Sequence, residues 1–263
     1  MKLKLYPIAT FALAMLTVNC ASTKQNKKSA AAETKKEESK SDLKPYNKVI
    51  TKEAVTDSGL FTIHKVKDDY FYEIPDTIFD REMLMVTRIA KTASGIGFGG
   101  GKANTQVLRW EKKDKKVLLR VVSHEIFAAD SLPIHEAVNN SNFEPVLFSF
   151  DVKTINKDST ATVVQVNDLY SDDVQALGLP GYYRDSYKVR NVDKGRSYIE
   201  SLKSYPLNIE ARHVKTYNAG NPPSNQSVGS ITVEMSNSMV LLPKEPMERR
   251  YFDRRVGWFA RGQ

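Results

Sequence analysis

GLFTIHKVKDDYFYEIP (residues 59–75) decides the fold class. Phe61, Ile63 and Lys65 fall on one face of an extended chain and Thr62, His64 and Val66 on the other. Lys67-Asp68-Asp69 supplies a turn, and Tyr70 to Ile74 returns. Working outward, EMLMVTRIAK (82–91) reads as a further strand. QVLRWEKKDKKVLLRVV (106–122) repeats the hairpin, turning at Lys113 to Lys115. A side-chain period of two belongs to strands and not to helices. The pattern predicts antiparallel β structure with one face covered.

The rest of the chain extends this reading. Phe143 to Val152 is a strongly apolar strand, paired with Thr160 to Leu169 across the turn at Asn156 to Asp158. Asn208 to Tyr217, Ser230 to Met235 and Met239 to Leu242 complete the strand series. Short helices are expected in four places. Asp76 is placed to cap a turn or helix after Pro75, and a helix around His135 starts near Pro133 and stops at Asn139-Asn140. Asp172 is placed to cap a third through Leu177. Ser197 and Glu200 form a capping box for a fourth, with Tyr198, Leu202 and Tyr205 on one side and Pro206 as its stop. The predicted class is α+β, mainly β: hairpins and a meander with a few short helices, after a disordered N-terminal tether.

Composition narrows the function. The net charge of +8 suggests nucleic acid, but its location argues against that. Lys2 and Lys4 give the first twenty residues +2, and nine lysines against six acids give residues 21–58 +3. Only +3 is left for the folded remainder, with no basic stripe that would track phosphates. The single cysteine, Cys20, excludes an intramolecular disulfide and a cysteine-rich zinc site.

Residues 1–20 have a basic start and an apolar core from Ile8 to Val18, the form of a secretory signal. Leu16-Thr17-Val18-Asn19-Cys20 resembles a lipobox, with Asn19 where Gly, Ala or Ser is usual. Cys20 is thereby the expected lipidation site and membrane attachment. Residues 21–44 are rich in Lys, Glu, Ser and Ala and read as a disordered tether. Residues 45–94 then form a small β-hairpin domain, 95–105 a Gly-rich loop, and 106–263 a larger β-rich domain, truncated at its C-terminus. An exported protein follows, either an envelope lipoprotein at the outer membrane or a periplasmic or secreted one.

The chain carries only incomplete motifs of catalytic or metal chemistry. Gly95, Gly97 and Gly100 spell a dinucleotide fingerprint, but a strand follows where a helix N-terminus is required. The loop reads instead as a mobile connection, or a flap tipped by Phe98. His124-Glu125 and His135-Glu136 each begin a zinc-protease motif, yet Ala128 and Asn139 stand where the second histidine belongs. His64 and His213 sit in strand-like runs and read as structural. No catalytic and no metal-binding residue is assigned; residues that would bind substrate stay unassigned.

Taken together, GLFTIHKVKDDYFYEIP, REMLMVTRIAKT, QVLRWEKKDKKVLLRVVS, DSLPIHEAVNNSNFEPVLFSFDV, YKVRNVDKGRSYIESLKSYPLNIEARH and SMVLLPKEPMERRYFDRRVGWF resemble one family. It is the N-terminal, non-catalytic portion of Bacteroidetes-type zinc-dependent metalloproteases, over residues 45–263. In that family two domains of unknown function precede a metzincin-like catalytic domain. The resemblance implies a non-catalytic accessory region that supports the catalytic domain or its substrate cleft. Zinc is expected in the full-length family and no cofactor in this chain. A peptide or protein substrate and the downstream catalytic domain are the implied partners. Two other readings stand beside it: a lipid-anchored protein-binding module of the envelope, and a self-sufficient hydrolase.

Overall fold

The computed structural model describes residues 43–126, 128–224, 226–245 and 247. The signal, the lipidation site at Cys20, most of the tether and the Trp258-Phe259 stretch lie outside the described residues. In chain order the elements are α1 (Tyr46–Val49), β1 (Val55–Ser58), β2 (Thr62–Val66), β3 (Asp69–Pro75), β4 (Glu82–Lys91), β5 (Lys102–Lys113) and β6 (Lys116–Val122). After α2 (His135–Ser141) come β7 (Val146–Ile155), β8 (Ala161–Gln165), α3 (Asn167–Ser171), α4 (Gly181–Ser186) and β9 (Val189–Val192). The chain finishes with β10 (Tyr198–Ser204), β11 (Asn208–Ala219) and β12 (Ser230–Leu241). The fold is mainly β and antiparallel, with short helices, as the alternation predicts.

One sheet runs in the order β1-β2-β3-β8-β7-β6-β5-β4-β12-β11-β10, and β9 adds to β11. Sequence neighbours are therefore not always sheet neighbours. β3 pairs with β8, and β4 lies between β5 and β12. Strands drawn from residues 45–94 and from 106–263 share this sheet.

The two ends of the sheet then meet. The Leu60 amide donates to the Tyr205 carbonyl at 2.8 Å, and the Ser204 hydroxyl to the Phe61 carbonyl at 2.7 Å. The Ser204 amide donates to the Asp57 carboxylate at 3.1 Å. Gly59 permits this approach, because a Cβ there would stand 2.5 Å from the Ser204 hydroxyl and 2.8 Å from its backbone. The sheet is thus curled into a near-barrel. Phe61, Tyr72, Trp110 and Phe150 pack inside it, with neighbouring ring centroids 5.3–6.3 Å apart. Met83, Met85, Leu108, Val117, Leu119 and Met239 fill the remainder, and Leu169, Tyr170 and Leu177 close one side.

Four local expectations are corrected. Residues 198–204 form strand β10, not a helix. Their capping box and their alternation compete, and pairing along β11 satisfies every other amide of the segment. The Ser197 hydroxyl instead donates to the Asp193 carbonyl and accepts the Thr216 amide. Asp172 follows α3 as its C-cap and does not open a helix through Leu177; only a 3-10 turn forms at Gln175–Leu177. Asp76 is the first residue of its 3-10 turn, and Pro75 holds the cap position. The first hairpin is covered on both faces: Ile63 and Tyr72 point into the barrel, while Phe71 and Val163 are buried with Ile50 beside α1.

Gly59→Ala should cost about 1–3 kcal/mol by overpacking the closure. The check is urea unfolding, with a lower midpoint at unchanged slope. An unchanged midpoint would show that the seam tolerates a side chain.

Candidate functional site

Three places bring together side chains of chemical interest. The first is inside the barrel. Ile209, Ala211, His213, Lys215 and Tyr217 share one buried face of β11, and Val214 and Thr216 on its other face are buried as well. His213 Nε2 donates to Asn237 Oδ1 at 2.6 Å, Asn237 Nδ2 donates to Thr87 Oγ1 at 2.6 Å, and Thr87 donates to the Ala176 carbonyl at 2.9 Å. Lys215 donates to the Asp172 carbonyl, and the Tyr72 and Tyr170 hydroxyls share a 2.6 Å hydrogen bond. Burial pushes the Lys215 ammonium down to about 8, against opposing help from Asp173 and Asp172. Burial, with Lys215 beside it, pushes the His213 imidazole down to about 3. A lysine and a histidine so shifted have the character of catalytic groups. Here both are fully buried and bonded within the fold, so no substrate reaches them. His213 is a structural histidine, as its strand-like setting predicts.

The second place is under α1. His64 joins Thr56 Oγ1 through Nδ1 at 2.9 Å and Glu73 through Nε2 at 3.0 Å. Tyr46 donates to the same Glu73 oxygen at 2.7 Å. The His64 hydrogen bond holds the Glu73 carboxyl below its usual range, while burial and then Glu73 raise the Tyr46 phenol. The order hydroxyl, imidazole, carboxylate resembles a nucleophile relay. Its evident work is mechanical, since it clasps α1 to three successive strands.

The third place lies on the outer surface. Val122, Val107, Leu84 and Val240 are consecutive cross-strand partners on β6, β5, β4 and β12. Their neighbours along each strand, such as Leu108, Met83, Met85 and Met239, face the core, so this row faces outward. It forms an aliphatic rung four strands wide, exposed toward Val240. The next outward positions are Arg120, Arg109, Glu82 and Leu242 on one side and Thr105, Val86 and Ser238 on the other, so the flanking rows are mixed.

Two adjoining grooves border the rung and share Asp80. One of ≈ 620 Å³ is lined by Glu82, His124, Leu242 and Met247, and one of ≈ 650 Å³ by Arg109, Arg120, Phe143 and Glu144. The 123–145 excursion forms their rim. Its roots are tied down: His124 to Glu82 at 3.0 Å, Glu144 to Arg109, and Phe143 beneath the Arg120 guanidinium at 5.0 Å. Its other apolar side chains Ile126, Leu132 and Ile134 are exposed, and Phe143, although it meets Arg120, is itself 80% exposed. The helix expected around His135 is present as α2, and the His135 ring bonds Asn139 and the Ala128 carbonyl, the two residues that break the zinc motifs. Among the described residues no group of three or more His, Cys, Asp or Glu side chains could hold a metal ion. No helix among them is long and apolar enough to cross a membrane.

The Gly-rich loop is pinned at its base. The Gly100 amide donates to the Ile89 carbonyl at 2.7 Å and the Ile89 amide to the Gly101 carbonyl at 3.0 Å. Ile96 is buried and Phe98 is 98% exposed.

A family model described as Domain of unknown function (DUF5117) matches residues 100–263, and one described as Domain of unknown function (DUF5118) matches residues 43–92. The first covers well over half of the chain. The chain belongs to the DUF5117 family. No curated protein and no solved structure matches it. The DUF5117 segment supplies Val107, Val122 and Val240 of the rung, and the DUF5118 segment inserts Leu84 between them. Sequence reading missed the rung, although its signal was present: aliphatic residues at outward strand positions where polar ones are usual.

The buried bases make stability depend on pH. Unfolded His213 binds a proton below about 6.5, whereas the folded side chain resists until about 3. Stability is therefore full above that window and falls as pH drops through it, by about 1.4 kcal/mol per unit. Lys215 acts in the alkaline range: the unfolded chain holds its proton to 10.5 and the folded one only to about 8, so stability rises between them. Urea unfolding across pH should show both limbs. His213→Gln should flatten the acid one and Lys215→Met the alkaline one; unchanged slopes would refute these assignments.

Proposed function

We propose that this chain is a non-catalytic accessory region of a zinc-dependent metalloprotease, exported and held at the cell envelope by lipid on Cys20. It works as a scaffold that holds other polypeptide against its outer surface. The observation that supports this most is the rung Val122-Val107-Leu84-Val240 beside the exposed apolar rim of the 123–145 excursion. The rung is exposed at Val240 and the rim at Ile126, Leu132, Ile134 and Phe143, and exposed apolar side chains grouped in this way mark protein contact sites. The resemblance to the N-terminal portion of metalloproteases names the partner class, a zinc-peptidase catalytic domain. The second reading, a stand-alone binding module of the envelope, draws on the same surface.

Binding of the full chain to a zinc-peptidase domain of a DUF5117-bearing metalloprotease is the test. Leu84→Lys and Val240→Lys should each weaken binding more than tenfold, the effect of losing about 1.4 kcal/mol. Chelator-sensitive peptide hydrolysis by the purified chain would defeat the non-catalytic reading. Binding unaffected by either lysine would remove the rung from it.

A further inference from the structure

We propose that the groove between α1, the β2–β3 turn and β7 binds the anionic headgroup of a membrane phospholipid. The proposal rests on the envelope attachment read above and gives the chain a second hold on the bilayer besides the lipid on Cys20. The groove has a volume of ≈ 810 Å³. Its deeper lining is apolar. Val49 and Val66 pack against the buried cluster of Ile50, Phe71 and Val163, and Val152 joins them from β7. α1 is a fixed wall, because Tyr46 clasps it to Glu73 at 2.7 Å.

Five lysines stand round this recess. Lys44, Lys48 and Lys52 come from the N-terminal segment, Lys67 from the turn and Lys153 from β7. Among the described residues none of the five is ion-paired or hydrogen-bonded through its side chain; the paired lysines are Lys91, Lys112 and Lys194, elsewhere on the surface. Three acids share the lining: Glu53, Asp151 and Asp69, the last accepting a hydrogen bond from Gln165 at 2.8 Å. Just outside it, Asp68 beside Asp69 and Lys116 opposite Asp151 add one charge of each sign. The lining therefore carries +2, and its lysines are not consumed by its carboxylates. The outer grooves differ in this respect. There Arg109 and Arg120 are already held by Glu144 and Glu111, and Arg81 by the Leu242 carbonyl.

Unpaired ammonium groups round an apolar recess match a phosphodiester joined to hydrocarbon. The lysines take the phosphate, and the valines take the first carbons behind it. A free phosphate would leave the apolar lining unused. Position favours a membrane as well. Cys20 precedes Leu43 by 23 residues, so the groove is built on the part of the domain nearest in sequence to the expected anchor.

Calorimetry of the full chain carrying Cys20→Ser tests this, with monomeric dihexanoylphosphatidylglycerol as the probe. One saturable site is expected, weakened by added salt. Lys67→Gln and Lys153→Gln should each lower the affinity about fivefold, the attraction of one lysine near an anionic surface. Asp151→Asn, at an exposed position, should raise it, an effect that damage to the fold would not produce. Affinity indifferent to these three changes, or equal binding of dihexanoylphosphatidylcholine, would overturn the proposal. Glycerol phosphate bound as tightly would overturn it in favour of a free-phosphate site, and polyglutamate bound as tightly in favour of an acidic protein partner. The attachment reading fails separately: mass spectrometry of the unaltered chain from cells would then find no lipid on Cys20. A lipidated chain whose groove ignores the probe keeps that reading and loses this inference alone.

Discussion

The contact between Gly59 and Ser204 is the constraint on which the other features depend. Without it β1 and β10 would be two open edges, each a row of unpaired amides and carbonyls. Joining them curls the sheet and gives it an inside. Only then can Trp110, Tyr72 and Phe61 bury fully, while Lys215 and His213 are covered by Asp172 and Tyr170 from the segment after β8. The closure is made by backbone and a small hydroxyl, so it requires a residue without a side chain at the seam.

Closure also separates two chemistries in an unusual sense. The interior holds a polar strip, His213, Lys215, Asn237 and Thr87, within an apolar core. The exterior holds an apolar rung that Val86 and Leu242 adjoin. The strip is accommodated because its members bond one another and the carbonyls of Asp172 and Ala176. A hydrogen-bonded interior of this kind disfavours register slips, since a one-residue shift would turn His213 outward and leave Asn237 and Thr87 without it. The rung has no such partner among the described residues at its Val240 end, which makes it informative about function.

The two matched segments interlock. β4 comes from one and runs between two strands of the other, and β3 pairs with β8 across the same division. Separating them would expose Met83, Met85, Tyr72 and Ile74 together. The rung is likewise composite, so the surface proposed to hold polypeptide exists only when both segments are folded as one sheet.

Local alternation was enough to recognise β2, β3, β4, β5 and β6 and to call His213 structural, because a period of two is a property of the chain and needs no neighbour. The incomplete zinc motifs at His124 and His135 were equally local, since residue spacing along the chain decides them. Tertiary structure alone decided that residues 198–204 are strand, because their capping box lost to hydrogen bonds offered by β11. It alone joined Val122, Val107, Leu84 and Val240. Each is an ordinary strand residue until register sets four of them side by side on the outer face. Register and closure arise from pairing between strands far apart in sequence, and no single segment encodes its partner.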